Sequence, residues 1–190
     1  MTEVDAKERL RRLIEQKALI TNAQITLSTG SSSSFYFDCK RVVLDGEGLN
    51  LVADLMLEAI DGLAVQATAI GGLTMGADFI VSAVIMRAHE RSHPTARGCI
   101  VRKESKQHGT QSVIENRLPA GTRIVVVDDV ITSGSAIRKA CQAFVEEGYE
   151  LAGIVALIDR QAGGKESLEK DFGVPVLGLY SKDDFAALSA

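Results

Sequence analysis

From residue 65 onward short, unbroken apolar runs alternate with stretches of helical spacing or, after the second run, a polar loop. The runs are "QATAIGG" (66–72), "GCIVR" (98–102), "RIVVV" (123–127), "LAGIVALI" (151–158) and "PVLGLY" (175–180). Between them, "MGADFIVSAVIMRAHE" (75–90) and "SAIRKACQAFVEEG" (135–148) carry helical periods, the second closing at Gly148 as a C-cap. Strands without polar alternation must be buried on both faces, which a mostly parallel sheet with helices on either side provides. The chain therefore reads as α/β. Two further helical stripes precede this region, Ala6–Leu10–Leu13–Ile14–Ala18 and, opened by "DGEG", Leu49–Val52–Ala53–Met56–Leu57–Ile60. No repeat or linker divides the 190 residues, so one domain is expected.

Composition narrows the partners. The net charge of −4 offers no nucleic-acid surface, and "RLRR" at 9–12 reads as a solvated helix face. Three scattered cysteines, Cys39, Cys99 and Cys141, give no disulfide framework and suit a reducing cytoplasm. "MTEVDAKERLRRL" mixes charges where a signal peptide needs an apolar core, and no run approaches the ~20 apolar residues that span a bilayer. Neither membrane nor nucleic acid is expected as a partner.

The sharpest motif is "IVVVDDVITSGSAIRKA", 124–140. Folding alone does not call for two adjacent acids at the end of a buried strand. In open α/β sheets ligands bind beyond the carboxyl ends of the strands, where Asp128 and Asp129 fall. Their carboxylates can accept ligand hydroxyls or orient a hydrated cation. Thr132, Ser133, Gly134 and Ser135 then bring hydroxyls and a tight turn to a helix N-terminus, whose amides and dipole favour a phosphate. Acids for hydroxyls followed by amides for phosphate describe a receptor for a sugar phosphate. The alternatives are a Walker-B strand, which lacks any GxxxxGK[ST] partner, and simple helix capping by the acids. "GGLTMG" (71–76) does not match GxGxxG.

Two other stretches bear on function. "KESKQHGTQSVIENRLPA" (103–120) is polar and aperiodic, the mark of a functional or solvated loop, and Lys103, Lys106 and His108 could form a cationic arm. "HERSH" (89–93) formally matches the HExxH zinc motif, but Pro94 disfavours a helix through His93, and the helix end returns to the sheet edge opposite the site. Met56, Met75 and Met86 read as core or near-core packing.

The strand and "DDVITSGSA" closely resemble the phosphoribosyl-pyrophosphate (PRPP) signature of type I phosphoribosyltransferases. Within that family, "VRKESKQHG" resembles the catalytic loop of orotate phosphoribosyltransferases, "TLSTGSSSSFYFDCK" their base-binding segment, and "ALIDRQAGG" their late strand and turn. The resemblance spans about residues 10 to 180. It implies the type I fold, a mostly parallel sheet flanked by helices, with an N-terminal helix and hood at about 1–45 and a PRPP-binding core at about 65–180.

It also implies Mg²⁺-dependent transfer of the 5-phosphoribosyl group from PRPP to orotate, in pyrimidine biosynthesis. Asp128 and Asp129 would then hold the ribose hydroxyls directly or through the metal environment, with Mg²⁺ carried mainly by PRPP and water. Val130, Ile131, Thr132, Ser133, Gly134, Ser135 and Ala136 would wrap the 5′-phosphate. Arg102, Lys103, Lys106 and His108 would meet the pyrophosphate, beside a turn formed by Gly71 and Gly72. Tyr36, Phe37, Thr132 and Arg160 would face orotate, the arginine gripping its carboxylate. Lys106, His108, Asp128 and Asp129 form the implied catalytic set. The resemblance further implies a homodimer whose 103–120 loops cover each other's sites. Ser28 and Thr74–Met75 stand where some members carry a lysine and a tyrosine–lysine pair. A purine-type transferase or a PRPP-sensing regulator are the competing readings.

Overall fold

The computed structural model describes residues 3–26, 32–104 and 113–188. Ser28, Lys106 and His108 lie outside these residues. The chain opens with α1 (Glu3–Leu13), which a π-helical turn at Ile14–Ala18 extends. An antiparallel pair follows, β1 (Leu19–Thr26) and β2 (Ser32–Phe37), then the single turn α2 (Lys40–Val43) and α3 (Gly46–Asp61). Asp45 caps α3, its carboxylate accepting the Gly48 N–H at 3.1 Å, so the "DGEG" start signal has a physical basis.

The remaining elements build one sheet: β3 (Ala69–Leu73), α4 (Asp78–Glu90), β4 (Gly98–Val101), β5 (Ile114–Glu115), β6 (Arg123–Ile131), α5 (Ser135–Glu146), β7 (Glu150–Asp159), α6 (Gly164–Phe172) and β8 (Val176–Ser181). Strand order is β5-β4-β3-β6-β7-β8, parallel throughout except for the two-residue β5. Val125 and Val127 face a core shared with α1, α3 and α4. Ile124 and Val126 face a second core shared with α5 and α6. This is the two-sided burial that the continuous apolar runs require.

The order of the strands places the site. The chain leaves β3 toward β4 on one side and returns to β6 on the other, so β3 and β6 form the switch point where a crevice opens at their carboxyl ends.

Two expectations need correction here. Gly71 and Gly72 are not in a turn: both lie within β3 and are buried, and the turn begins at Thr74. At Gly71 the room for a side chain is taken by Phe144, Ile124 and the Cys99 carbonyl. At Gly72 it is taken by the Val127 carbonyl and Ala77, so sheet packing explains both glycines. Met75 and Met86 are 56% and 57% exposed, and only Met56 is core. The mixed apolar pattern of α4 does not reveal which side meets the sheet.

His93 lies beyond the end of α4. Its Nδ1 accepts the Thr95 N–H at 3.2 Å, so its Nε2–H faces Asp61 of α3, 2.5 Å away. The HExxH match dissolves into a staple between the α4–β4 connection and α3.

Candidate active site

β6 does not stop at its apolar run; it continues through both acids to Ile131. Asp128 is 6% exposed. Its Oδ1 accepts the Asp129 N–H at 3.0 Å. Burial, and then the neighbouring Asp129 charge, push the Asp128 carboxyl well above the ordinary carboxylate range. Burial also raises Asp129, while the Val130 N–H and the charge of Lys40 pull it partly back. Nearby, fully buried Cys39 feels burial first and then the charge of Asp129, both holding its thiol protonated. The pair is costly as it stands, and hydroxyl donors or a cation would relieve the cost.

Gly76 opens the space above these acids. A methyl group on it would lie 2.3 Å from Asp128 Oδ1 and 3.0 Å from Asp129 Oδ1. The contact joins residues 52 positions apart, so no local motif announces it. Beside it, Thr74 Oγ1 donates to Asp78 Oδ2 at 2.8 Å at the start of α4.

Beyond the acids the Ile131 side chain is fully buried in the core, leaving only its backbone to the site. Its carbonyl accepts the Arg160 N–H at 3.0 Å. Thr132, Ser133 and Ala136 are part-exposed and Ser135 exposed, around Gly134 at φ 75°, a left-handed conformation that favours glycine. α5 begins there with no side-chain cap and no acid in its first turn. Its first amides therefore face outward into positive potential, a geometry that binds phosphate.

An open cleft of about 580 Å³ lies at the β3–β4 side, lined by Thr74, Asp78, Ile100, Arg102, Lys103, Glu104 and Glu115. Arg102 closes the root of the 103–112 segment, its N–H donating to the Val113 carbonyl at 2.7 Å and its Nη1 to Glu115 Oε1 at 3.0 Å. Lys139 of α5 donates to the Lys103 carbonyl. Arg102 and Lys103 thus share this cleft, as their adjacency to the loop suggests.

The opposite flank brings β2 and β7 together. Arg160, 7% exposed, donates from Nη2 to the Phe35 carbonyl at 3.3 Å, and its guanidinium lies 4.5 Å from the Phe35 ring centre. Burial lowers its pKa, and Tyr36 opposes that shift; an arginine nonetheless keeps its charge. Tyr36 is part-exposed on this flank. Phe37 is not available to a ligand as expected: it is 2% exposed, with its ring 5.0 Å from Phe185. The aromatic that meets Arg160 is Phe35; "FYF" does not itself say which ring the core claims.

A mostly parallel sheet with paired acids and a left-handed glycine turn at its switch point is the arrangement expected of a phosphoribosyltransferase, and the family model described as "Phosphoribosyl transferase domain" matches residues 43–181. The orotate phosphoribosyltransferase of Aquifex aeolicus is 38% identical over 176 residues, covering 92% of this chain and 94% of the relative. Among solved structures, Mycobacterium tuberculosis H37Rv orotate phosphoribosyltransferase in complex with Fe(III) dicitrate superposes with a TM-score of 0.80 at 29% identity, covering 95% and 99% of the two chains. The same enzyme in complex with PRPP gives 0.74 at 26% identity, covering 97% and 99%. The chain belongs to the orotate phosphoribosyltransferases, enzymes with the type I fold.

Proposed function

We propose that the chain transfers the 5-phosphoribosyl group of PRPP to N1 of orotate, releasing pyrophosphate and forming orotidine 5′-monophosphate for pyrimidine synthesis. The observation that carries this reading is the Asp128–Asp129 pair, the first acid buried and the second part-exposed, running into the Gly134 turn at the sheet's switch point. Asp128 and Asp129 accept the ribose 2′- and 3′-hydroxyls, and the Thr132–Ala136 turn holds the 5′-phosphate. Arg102, Lys103, Lys106 and His108 face the pyrophosphate and stabilise its growing charge as the C1–O bond breaks. Orotate's ring nitrogen supplies the electron pair for the new bond, so no protein nucleophile is needed. Arg160 grips the orotate carboxylate beside Phe35 and Tyr36.

Mg²⁺ fits this site as a partner of the substrate. Among the described residues no three His, Cys, Asp or Glu side chains gather to hold a metal alone, whereas the two carboxylates can receive a hydrated cation brought by pyrophosphate. When bound, it would neutralise charge on the leaving group. Residues 1–45 serve as the hood over the base and 65–180 as the PRPP-binding core.

We place the enzyme in the cytoplasm, which suits its three buried free thiols. Among the described residues no helix is long and apolar enough to cross a membrane. Its active unit is a homodimer sharing the 103–120 loop. If so, inactive Lys106→Ala and Asp129→Asn dimers should regain about a quarter of wild-type activity after random subunit exchange. No recovery after verified exchange would place the loop in its own subunit. The whole reading is tested by following orotate absorbance with PRPP and Mg²⁺: consumption that needs both supports it, and none under any condition overturns it.

A further inference from the structure

The paired glycines of "QAGG" occupy adjacent positions for opposite reasons. Gly163 has φ 82° and nothing within 4 Å of where a methyl group would go. Its constraint is conformational. Gly164 has no unusual φ, yet a methyl group there would lie 2.3 Å from the Thr132 carbonyl oxygen and 2.9 Å from the Gly134 nitrogen. Its constraint is the turn that follows the acids. Leu168, one helical turn further along α6 and fully buried, reaches the same turn from below: a methyl on Gly134 would meet its side chain at 2.9 Å. Arg138 of α5 braces the two helices, donating to Asp171 at 2.8 Å and to Ser167 at 2.8 Å. The backbone of residues 132–134 therefore rests directly on the first turns of α6.

We infer that Gly164 and Leu168 are positioning residues for the phosphate pocket: the start of α6 is the shelf that fixes where the amides and hydroxyls of the Thr132–Ser135 turn point. This rests on the proposed role of that turn in holding the 5′-phosphate. Neither residue touches substrate. Each acts through the turn, and a shift of a few tenths of an ångström there misaligns donors that must converge on one phosphate.

The test uses two inhibitors of the wild-type reaction. Ribose 5-phosphate reports the turn and pyrophosphate reports the Arg102 cleft. Gly164→Ala should weaken inhibition by ribose 5-phosphate about tenfold, the worth of one charge-assisted hydrogen bond, and raise KM for PRPP more than it lowers kcat. Inhibition by pyrophosphate should stay within twofold of wild type. Gly163→Ala should lower Tm through backbone strain and leave both inhibition constants unchanged. A Gly164→Ala enzyme with wild-type ribose 5-phosphate inhibition, or with both inhibitors weakened equally, overturns the inference. Should that variant fail to fold, Leu168→Ala withdraws the support instead of crowding it and must give the same separation between inhibitors. A wild-type enzyme indifferent to ribose 5-phosphate would overturn the reading of the turn itself, and this inference with it.

Discussion

Between Ile124 and Val127 every side chain of β6 is fully buried, and the two faces of the strand fill two cores. One residue further on, the same strand carries two carboxylates at the edge of a crevice, one of them 6% exposed and held partly by its neighbour's N–H. Both halves share a backbone ladder with β7, but only the first is also paired with β3, so the acids sit where the sheet has opened on one side. The first half lowers the free energy of the folded chain, whereas the second raises it until something with hydroxyls or positive charge arrives. A site that binds by relieving its own cost must be held by a scaffold that can bear that cost, and the apolar half supplies it.

Moving an acid across this boundary should have the largest effect. Val126→Asp places an unpaired carboxylate in a fully closed core and should cost ~4 kcal/mol or more, a large part of a domain's stability. Its urea midpoint should collapse; a near-normal midpoint would mean the two halves of β6 do not differ as described. The reverse exchange at the other half should leave the fold intact and damage the reaction. Asp129→Asn is expected to lose on the order of 10²-fold in turnover at saturating Mg²⁺, comparable to removing one preorganised electrostatic contact, with Tm at or above wild type. Unchanged kcat and KM for PRPP would remove Asp129 from its proposed role.

Arg160 extends the comparison to the proposed base side, where a charge is again buried, here against Phe35. Arg160→Ala should raise KM for orotate by roughly 10- to 100-fold, the range expected for a charged hydrogen bond. Uracil, which lacks the carboxylate, should remain a poor substrate of both enzymes. Normal handling of orotate would hand the carboxylate to another residue.

The part of this arrangement that was legible in the sequence is the part written in consecutive residues. The apolar run, the two acids and "TSG" lie in one stretch, and each has a local meaning: strand, ligand edge, left-handed turn. The α3 and α5 helices could be read for the same reason. What escaped depends on contacts between distant segments. Gly76 matters because of Asp128, and Gly164 because of Thr132, across 52 and 32 positions of chain respectively. α6 is mostly polar, with Gly164 and Leu168 its buried residues, so it shows little apolar period. β1 and β2 escaped too, since "LITNAQIT" and "SSSFYF" carry no clean alternation and pair only with each other. The choice between Phe35 and Phe37 is made by Phe185, near the other end of the chain.

The smallest effect expected is also the most direct test of the cost assigned to the acid pair. A carboxyl raised by burial costs nothing at low pH, where folded and unfolded chains are both protonated. As pH climbs through the ordinary carboxylate range near ~4, the unfolded chain releases its proton readily and the folded chain resists, so stability falls until the raised folded-state pKa is passed. Asp128→Asn removes that ionisation while keeping an acceptor for the Asp129 N–H. Unfolding free energies of the two proteins, measured by urea titration from pH 4 to pH 8 without ligand, should be close at pH 4. They should separate as pH rises, the variant becoming the more stable by on the order of 2 kcal/mol at pH 8. Curves that stay parallel, or a variant that is less stable at neutral pH, would contradict the claim that these acids are held against the interest of the fold.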